Sequence, residues 1–117
     1  MDDLKKIYEE GCELNKKENY EAAFEKFRYA AEKGYVAAQN SLGDCYFNGE
    51  GVEIDEEEAV KWYSKAAKQG YAAAQYMLGD SYKNGWGVEE DYAEAVKWYK
   101  EAAEQVDFDA QYLLGKC

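Results

Sequence analysis

The sequence predicts an all-α solenoid built from antiparallel helix hairpins, and the prediction has two main supports. Residues 37–72 and 73–108 align without a gap and share 22 residues in 36 positions. In each of these segments, two stretches with apolar residues at helical spacing flank a loop that contains glycine. A repeat of this length, with two helices per unit, is typical of a solenoid whose units stack side by side.

We divide the chain into a single repeat domain, residues 1–117, with four parts in order. The first unit, 4–36, follows the same pattern but has a loop that is four residues shorter. The second and third units are 37–72 and 73–108. Residues 109–117 begin the pattern again and hold only the first helix of a truncated or capping unit.

Within a unit, the residue pattern predicts both helices and the way in which they pack. In the second unit, apolar spacing indicates a first helix over 37–47 and a second over 56–68. Asp55 followed by Glu58 has the form of an N-terminal capping box, and the third unit repeats it. Gly43 marks a close approach of the two helices, around which large residues such as Tyr63 fill the core.

Composition and charge exclude several classes of function. The chain has 25 acidic and 14 basic residues, a net charge of −11, which repels nucleic acid. It has no histidine, so the commonest general base and metal ligand are both missing, and we expect no catalysis, no cofactor and no metal. No apolar run is long enough to insert into a membrane. An odd number of cysteines without paired spacing favours a reducing compartment, and we expect a cytoplasmic location.

The recurring motif resembles a known family. The pattern L-G-x-x-Y-x-x-G-x-G-V-x-x-D-x-x-x-A-V-x-W-Y-x-x-A-A occurs at 42–67 and at 78–103, and it is similar to the Sel-one-like repeat family. The first unit is more similar to the related tetratricopeptide repeat. The resemblance implies a right-handed superhelix that serves as an adaptor for other proteins or peptides, with a concave groove lined by the first helix of each unit.

Carried over column by column, the resemblance implies a set of residues that face the groove. These candidate binding residues are Asn40, Asp44, Phe47, Asn48, Tyr76, Asp80, Lys83, Asn84 and Tyr112. Tyrosine offers a large contact area at little cost in rotamer entropy, and an asparagine amide can pair with a peptide backbone. Asn48 and Asn84 also suit the end of a helix, so a structural role stays open for both.

The sequence thus predicts a scaffold for a protein or peptide partner, with a preference for basic ligands because the net charge of −11 attracts cations. We expect a monomer. The alternative is a structural stacking unit, or a fragment of a longer array, that associates end to end through its terminal helix.

Two roles are open for Trp86, which we expect to be exposed in its loop: contact with a ligand, or packing over its own hairpin.

Overall fold

The computed structural model describes residues 3–105, and every regular element within that range is an α-helix. The helices are α1 (Leu4–Lys16), α2 (Tyr20–Glu32), α3 (Val36–Asn48), α4 (Glu56–Lys68), α5 (Ala72–Asn84) and α6 (Tyr92–Ala103). Each helix packs against the one that follows it in the chain, both within a hairpin and across the junction between units. The predicted all-α repeat solenoid is confirmed.

Helices α4 and α6 begin at the aspartate caps that the sequence predicts. The side chain of Asp55 accepts a hydrogen bond from the Glu58 amide at 3.1 Å, and Asp91 does the same for Glu94 at 3.1 Å. These bonds satisfy amides in the first turn that have no partner within the helix. At the other end, α3 stops at Gly49, whose φ of 72° is left-handed and therefore suits glycine.

A glycine in each first helix receives an aromatic ring from the second helix. A Cβ added to Gly43 would lie 2.7 Å from Cε1 of Tyr63, and one added to Gly79 would lie 2.8 Å from Cε1 of Tyr99. Any larger residue at these two positions would displace the ring. The predicted close approach is therefore present in both of these hairpins, and it sets the distance between their helices.

Buried glutamines join neighbouring units. Gln39 of α3 donates from Nε2 to the carbonyl oxygen of Ala31 at the end of α2, over 3.2 Å, and Gln75 makes the equivalent bond to Ala67 over 3.1 Å. Gln69 in turn donates to Oε1 of Gln39 over 2.8 Å. Because the amides of Gln39 and Gln75 are buried, losing the bond to Ala31 or Ala67 leaves a buried polar group without a partner, so these two bonds help to fix one unit against the next.

Trp62 and Trp98, which occupy equivalent positions on α4 and α6, differ in burial. Trp62 is buried, whereas Trp98 is half-buried. The same contrast holds for Val60, which is 8% exposed on α4, and Val96, which is 54% exposed on α6. Since α5 packs on α4, the face that α4 buries is partly open on α6.

Among the described helices, none is long and apolar enough to cross a membrane.

Candidate functional site

The structure distributes eight of the nine predicted binding residues over two first helices. Asn40, Asp44, Phe47 and Asn48 lie on α3, and Tyr76, Asp80, Lys83 and Asn84 lie at the equivalent positions of α5. Tyr112 lies outside the described residues. Since residues three and four apart share one face of a helix, each helix presents its set as a single stripe.

Each carboxylate in these stripes is bound to a tyrosine of the second helix in the same hairpin. The Tyr63 hydroxyl donates to Oδ1 of Asp44 over 2.5 Å, and the Tyr99 hydroxyl donates to Oδ1 of Asp80. Both aspartates are half-buried. The bond to a phenol fixes the direction of each carboxylate. The sequence shows that tyrosine and aspartate recur, but it does not reveal that they meet.

These tyrosines reach the aspartates because of the glycines described above. Each ring lies against the backbone of the first helix at Gly43 or Gly79, and the hydroxyl then reaches the next residue in the chain, Asp44 or Asp80. Burial, followed by the hydrogen bond to Asp80 and its charge, raises the pKa of Tyr99 to about 12. Tyr99 therefore remains a protonated donor at neutral pH.

Asn40 and Tyr76 occupy the same position in successive units but differ in exposure. Tyr76 is 40% exposed, and its ring centroid lies 6.3 Å from that of Tyr99. Asn40 is only 2% exposed, and its Oδ1 atom accepts no hydrogen bond from the part of the chain that the structure describes. An asparagine is shorter than a tyrosine, so its amide lies below the surface that the tyrosine ring reaches.

Phe47 and Trp86 contact each other across the junction between the second and third units. Their ring centroids are 5.2 Å apart, and both side chains are half-buried. The expectation of an exposed Trp86 is therefore not met, since its ring packs on Phe47 of the preceding unit. Pairs of this kind contribute about 0.5–1.5 kcal/mol beyond the area that they bury.

The remaining predicted residues lie at the ends of α3 and α5. Asn48, Lys83 and Asn84 are all exposed. Asn84 donates from Nδ2 to the carbonyl oxygen of Asp80 over 3.0 Å, a bond within its own helix end. The structural role considered for Asn84 is thus present, and its exposure leaves the amide accessible as well.

Two cavities lie on a part of the molecule that the sequence did not indicate. One, of about 710 Å³, lies between the start of α4 and the loop at 85–89, and the other, of about 550 Å³, lies between the start of α2 and Gly51. They are equivalent places in successive units, where one loop rests on the preceding hairpin.

Within residues 3–105, no group of three or more acidic or cysteine side chains is placed to hold a metal ion.

The helix hairpins, their period and their shared glycine contacts define an α-solenoid repeat protein. The family model for the Sel1 repeat matches residues 7–35, 36–71 and 72–107. The chain belongs to the Sel1 repeat family, which confirms the resemblance seen in the sequence. Proteins with these repeats generally mediate interactions between proteins.

Curated relatives include regulators from bacteria and yeast. An exopolysaccharide production negative regulator of Rhizobium leguminosarum bv. viciae is 40% identical over 58 residues, which cover 50% of this chain and 22% of the relative. Chitin synthase regulatory factor 3 of Schizosaccharomyces pombe is 35% identical over 65 residues, 55% of this chain and 7% of the relative. The chain thus spans less than a quarter of either relative.

Solved structures with the same architecture cover most of the chain. A Sel1 repeat protein from Oxalobacter formigenes is 46% identical with a TM-score of 0.80, covering 84% of this chain and 40% of that protein. The protective antigen c5321 of uropathogenic Escherichia coli, which displays the SLR fold, is 40% identical with a TM-score of 0.84. That match covers 87% of this chain and 23% of the antigen.

Proposed function

We propose that this chain is a scaffold that binds a protein or peptide partner along the surface formed by α1, α3 and α5, and that it performs no catalysis. The observation that carries the proposal is the repetition of one arrangement on α3 and α5. On each helix, a tyrosine from the paired helix holds an aspartate in a fixed direction. A partner that lies across both helices meets two carboxylates in matching positions.

The other exposed side chains on these helices suit an extended ligand. Tyr76 offers a rigid aromatic surface, and aromatic residues carry a large share of binding energy in interfaces. Asn48 and Asn84 are exposed amides that can pair with a peptide backbone whatever its sequence. These contacts give affinity without demanding a particular peptide, while the carboxylates select for charge.

We expect the partner to be basic. The net charge of −11 attracts cations over a distance, and Asp44 and Asp80 place two of the acidic groups on the proposed surface. Such attraction is screened by salt, with a Debye length of about 10 Å at 0.1 M. Binding should therefore weaken as the salt concentration rises, and a ligand of equal length without basic residues should bind less tightly.

The proposal is tested by selecting ligands from a displayed library of random peptides at low and at moderate salt. The parent chain is compared with the triple variant Asn48→Ala, Tyr76→Ala and Asn84→Ala. The matched control is Lys61→Ala, Tyr92→Ala and Glu101→Ala, which changes three exposed residues on α4 and α6. Circular dichroism checks that all three proteins fold.

We expect the parent and the control to enrich the same basic peptides and the triple variant to lose them. Retention by the folded triple variant would contradict binding along the first helices. Enrichment that ignores the charge of the peptide would contradict the preference for a basic partner while leaving the binding surface in place.

The partly open face of α6 favours a second candidate function, a stacking unit that associates end to end. Val96 is exposed there, whereas the equivalent residue of α4, Val60, is buried in the hairpin on which α5 packs. In the sequence-based alternative this association runs through the terminal helix, whose residues 109–117 lie outside the described part. Sedimentation velocity over a hundredfold range of concentration separates the two candidates, since a scaffold stays monomeric and a stacking unit grows.

A further inference from the structure

In the third unit, two tyrosine side chains lie near one carboxylate, that of Asp80. Tyr76 and Asp80 lie one turn apart on α5, and Tyr99 reaches Asp80 from α6. The rings of Tyr76 and Tyr99 are tilted by 49° with centroids 6.3 Å apart. Tyr76 is exposed, and Asp80 is half-buried. A carboxylate of fixed direction therefore lies next to an accessible aromatic ring.

The Asp80 carboxylate retains capacity for a ligand. The Tyr99 hydroxyl occupies Oδ1, and Oδ2 accepts no hydrogen bond within residues 3–105. Lys83, three residues further along α5, is exposed and forms no ion pair in that range. Because Tyr99 stays protonated at neutral pH, it continues to donate to Oδ1, and a ligand meets Oδ2.

We infer that Asp80, Tyr76 and Tyr99 form a subsite for one arginine side chain of the partner; this inference rests on the proposed function. A guanidinium group is planar and always charged, so it can donate to Oδ2 while its plane lies against the exposed ring of Tyr76. A neutral side chain of the same length would form a weaker hydrogen bond to Oδ2 and would lack the attraction between a cation and the ring of Tyr76. Tyr99 is a positioning residue, since it acts through Asp80.

The other two units lack one or more parts of this subsite. In the second unit, Asp44 is held by Tyr63, but the position of Tyr76 is occupied by Asn40, which is buried and not aromatic. In the first unit, the position of the aspartate is Cys12, and the ring against Gly11 is Phe27, which has no hydroxyl. Among the described units, only the third combines a fixed carboxylate with an exposed ring.

The test uses two probes, the peptide acetyl-Gly-Arg-Gly-amide and its isostere with citrulline in place of arginine. Citrulline keeps the length and planarity of arginine and removes its charge. Binding to the full chain is followed by nuclear magnetic resonance titration at low salt, with the ring signals of Tyr76 and Tyr99 as reporters. The variants are Asp80→Asn, Tyr76→Leu and Tyr99→Phe, with Glu101→Gln, an exposed acid on α6, as the charge-matched control.

We expect the arginine probe to bind about tenfold more tightly than the citrulline probe, as an ionised partner strengthens a hydrogen bond. Asp80→Asn should abolish that preference, and Tyr76→Leu should weaken binding of the arginine probe while keeping part of the preference. Tyr99→Phe keeps the ring and should reduce the preference by about threefold, since Asp80 is then free to turn. Glu101→Gln should leave both probes unchanged.

The inference is overturned if the two probes bind equally, or if Glu101→Gln weakens the arginine probe as much as Asp80→Asn does, because the effect is then one of net charge. Thermal unfolding of each variant separates a lost subsite from a lost fold. The proposed function is tested by a different experiment, the library selection, and it fails if the triple variant retains the selected peptides. Equal binding of the two probes, together with loss of those peptides by the triple variant, removes the arginine subsite alone.

Discussion

The first unit and the second unit solve the same packing problem with different side chains. In both, an aromatic ring from the second helix lies against a glycine of the first, Phe27 against Gly11 and Tyr63 against Gly43. Only the second unit adds a hydroxyl to the ring and a carboxylate next to the glycine. The hairpin therefore forms without the polar pair, which separates the residues that the fold needs from those available for binding.

The largest expected effect comes from filling the space beside the glycine, which in each unit is occupied by the aromatic ring of the second helix. Gly43→Val places side-chain atoms where the Tyr63 ring lies, since even a Cβ would be 2.7 Å from it. We expect a loss of about 3 kcal/mol in the free energy of unfolding, the upper part of the range for overpacked cores. Gly11→Val in the first unit should cost a similar amount. Urea denaturation measures both.

The control for these two variants is Lys61→Val, at an exposed position in the middle of α4. It changes helix propensity without filling any contact, so it should cost less than about 1 kcal/mol. If Gly43→Val and Gly11→Val cost no more than this control, the close approach of ring and glycine does not determine the hairpin.

A smaller effect is expected from exchanging the polar features of the two units. Tyr63→Phe gives the second unit the ring of the first, and we expect it to cost about 1 kcal/mol, the net value of one hydrogen bond. The reciprocal change, Phe27→Tyr, adds a hydroxyl in a unit that has Cys12 where the aspartate would be, so it should not stabilise the protein. Thermal and urea unfolding of both variants give the comparison.

A gain in stability from Phe27→Tyr equal to the loss from Tyr63→Phe would show that the hydroxyl is stabilising in any unit, with or without aspartate. The distinction between the two units would then have no basis in the polar pair.

The smallest effect appears only at alkaline pH. Burial is the main cause that raises the pKa of Tyr8 in the first unit, and of Tyr99 in the third, from 10.0 to about 12. A proton held more tightly in the folded state contributes stability that is complete below pH 10 and lost as the pH rises from 10 to 12. Tyr8→Phe and Tyr99→Phe should each reduce this loss, as measured by urea unfolding across that range.

Tyrosinate absorbance gives an independent check on these two residues. Tyr8→Phe and Tyr99→Phe should each remove one tyrosine that ionises near pH 12, above the ordinary value of 10.0, in the folded protein. Should both variants remove a group that ionises near the ordinary value for tyrosine, the buried and hydrogen-bonded settings of Tyr8 and Tyr99 would be contradicted.

The sequence was sufficient to predict the features that depend on spacing along one unit. The period, the helices and the caps at Asp55 and Asp91 are local, because each depends on residues a few positions apart. The contact between Gly43 and Tyr63 was also predictable in kind, since a glycine recurring in one helix and an aromatic residue in the next imply a close approach.

The candidate site was less predictable, because exposure depends on neighbouring units and on the length of a side chain. Asn40 and Tyr76 share one column, yet one is buried and the other accessible. Trp86 was expected at the surface of its loop, but it lies against Phe47 of the preceding unit. The bond between Tyr99 and Asp80 joins residues 19 positions apart, and no periodicity within a single helix reports it.

The central claim is that the aspartates held by tyrosines form part of the surface that binds the partner. The most direct measurement is calorimetric titration of a basic peptide from the library selection against the parent, against Asp44→Asn with Asp80→Asn, and against Glu57→Gln with Glu101→Gln. All three proteins differ by at most two charges. We predict that the first pair weakens binding at least about tenfold and that the second pair leaves it nearly unchanged. Equal losses in the two pairs would contradict the claim, since net charge alone would then account for the affinity.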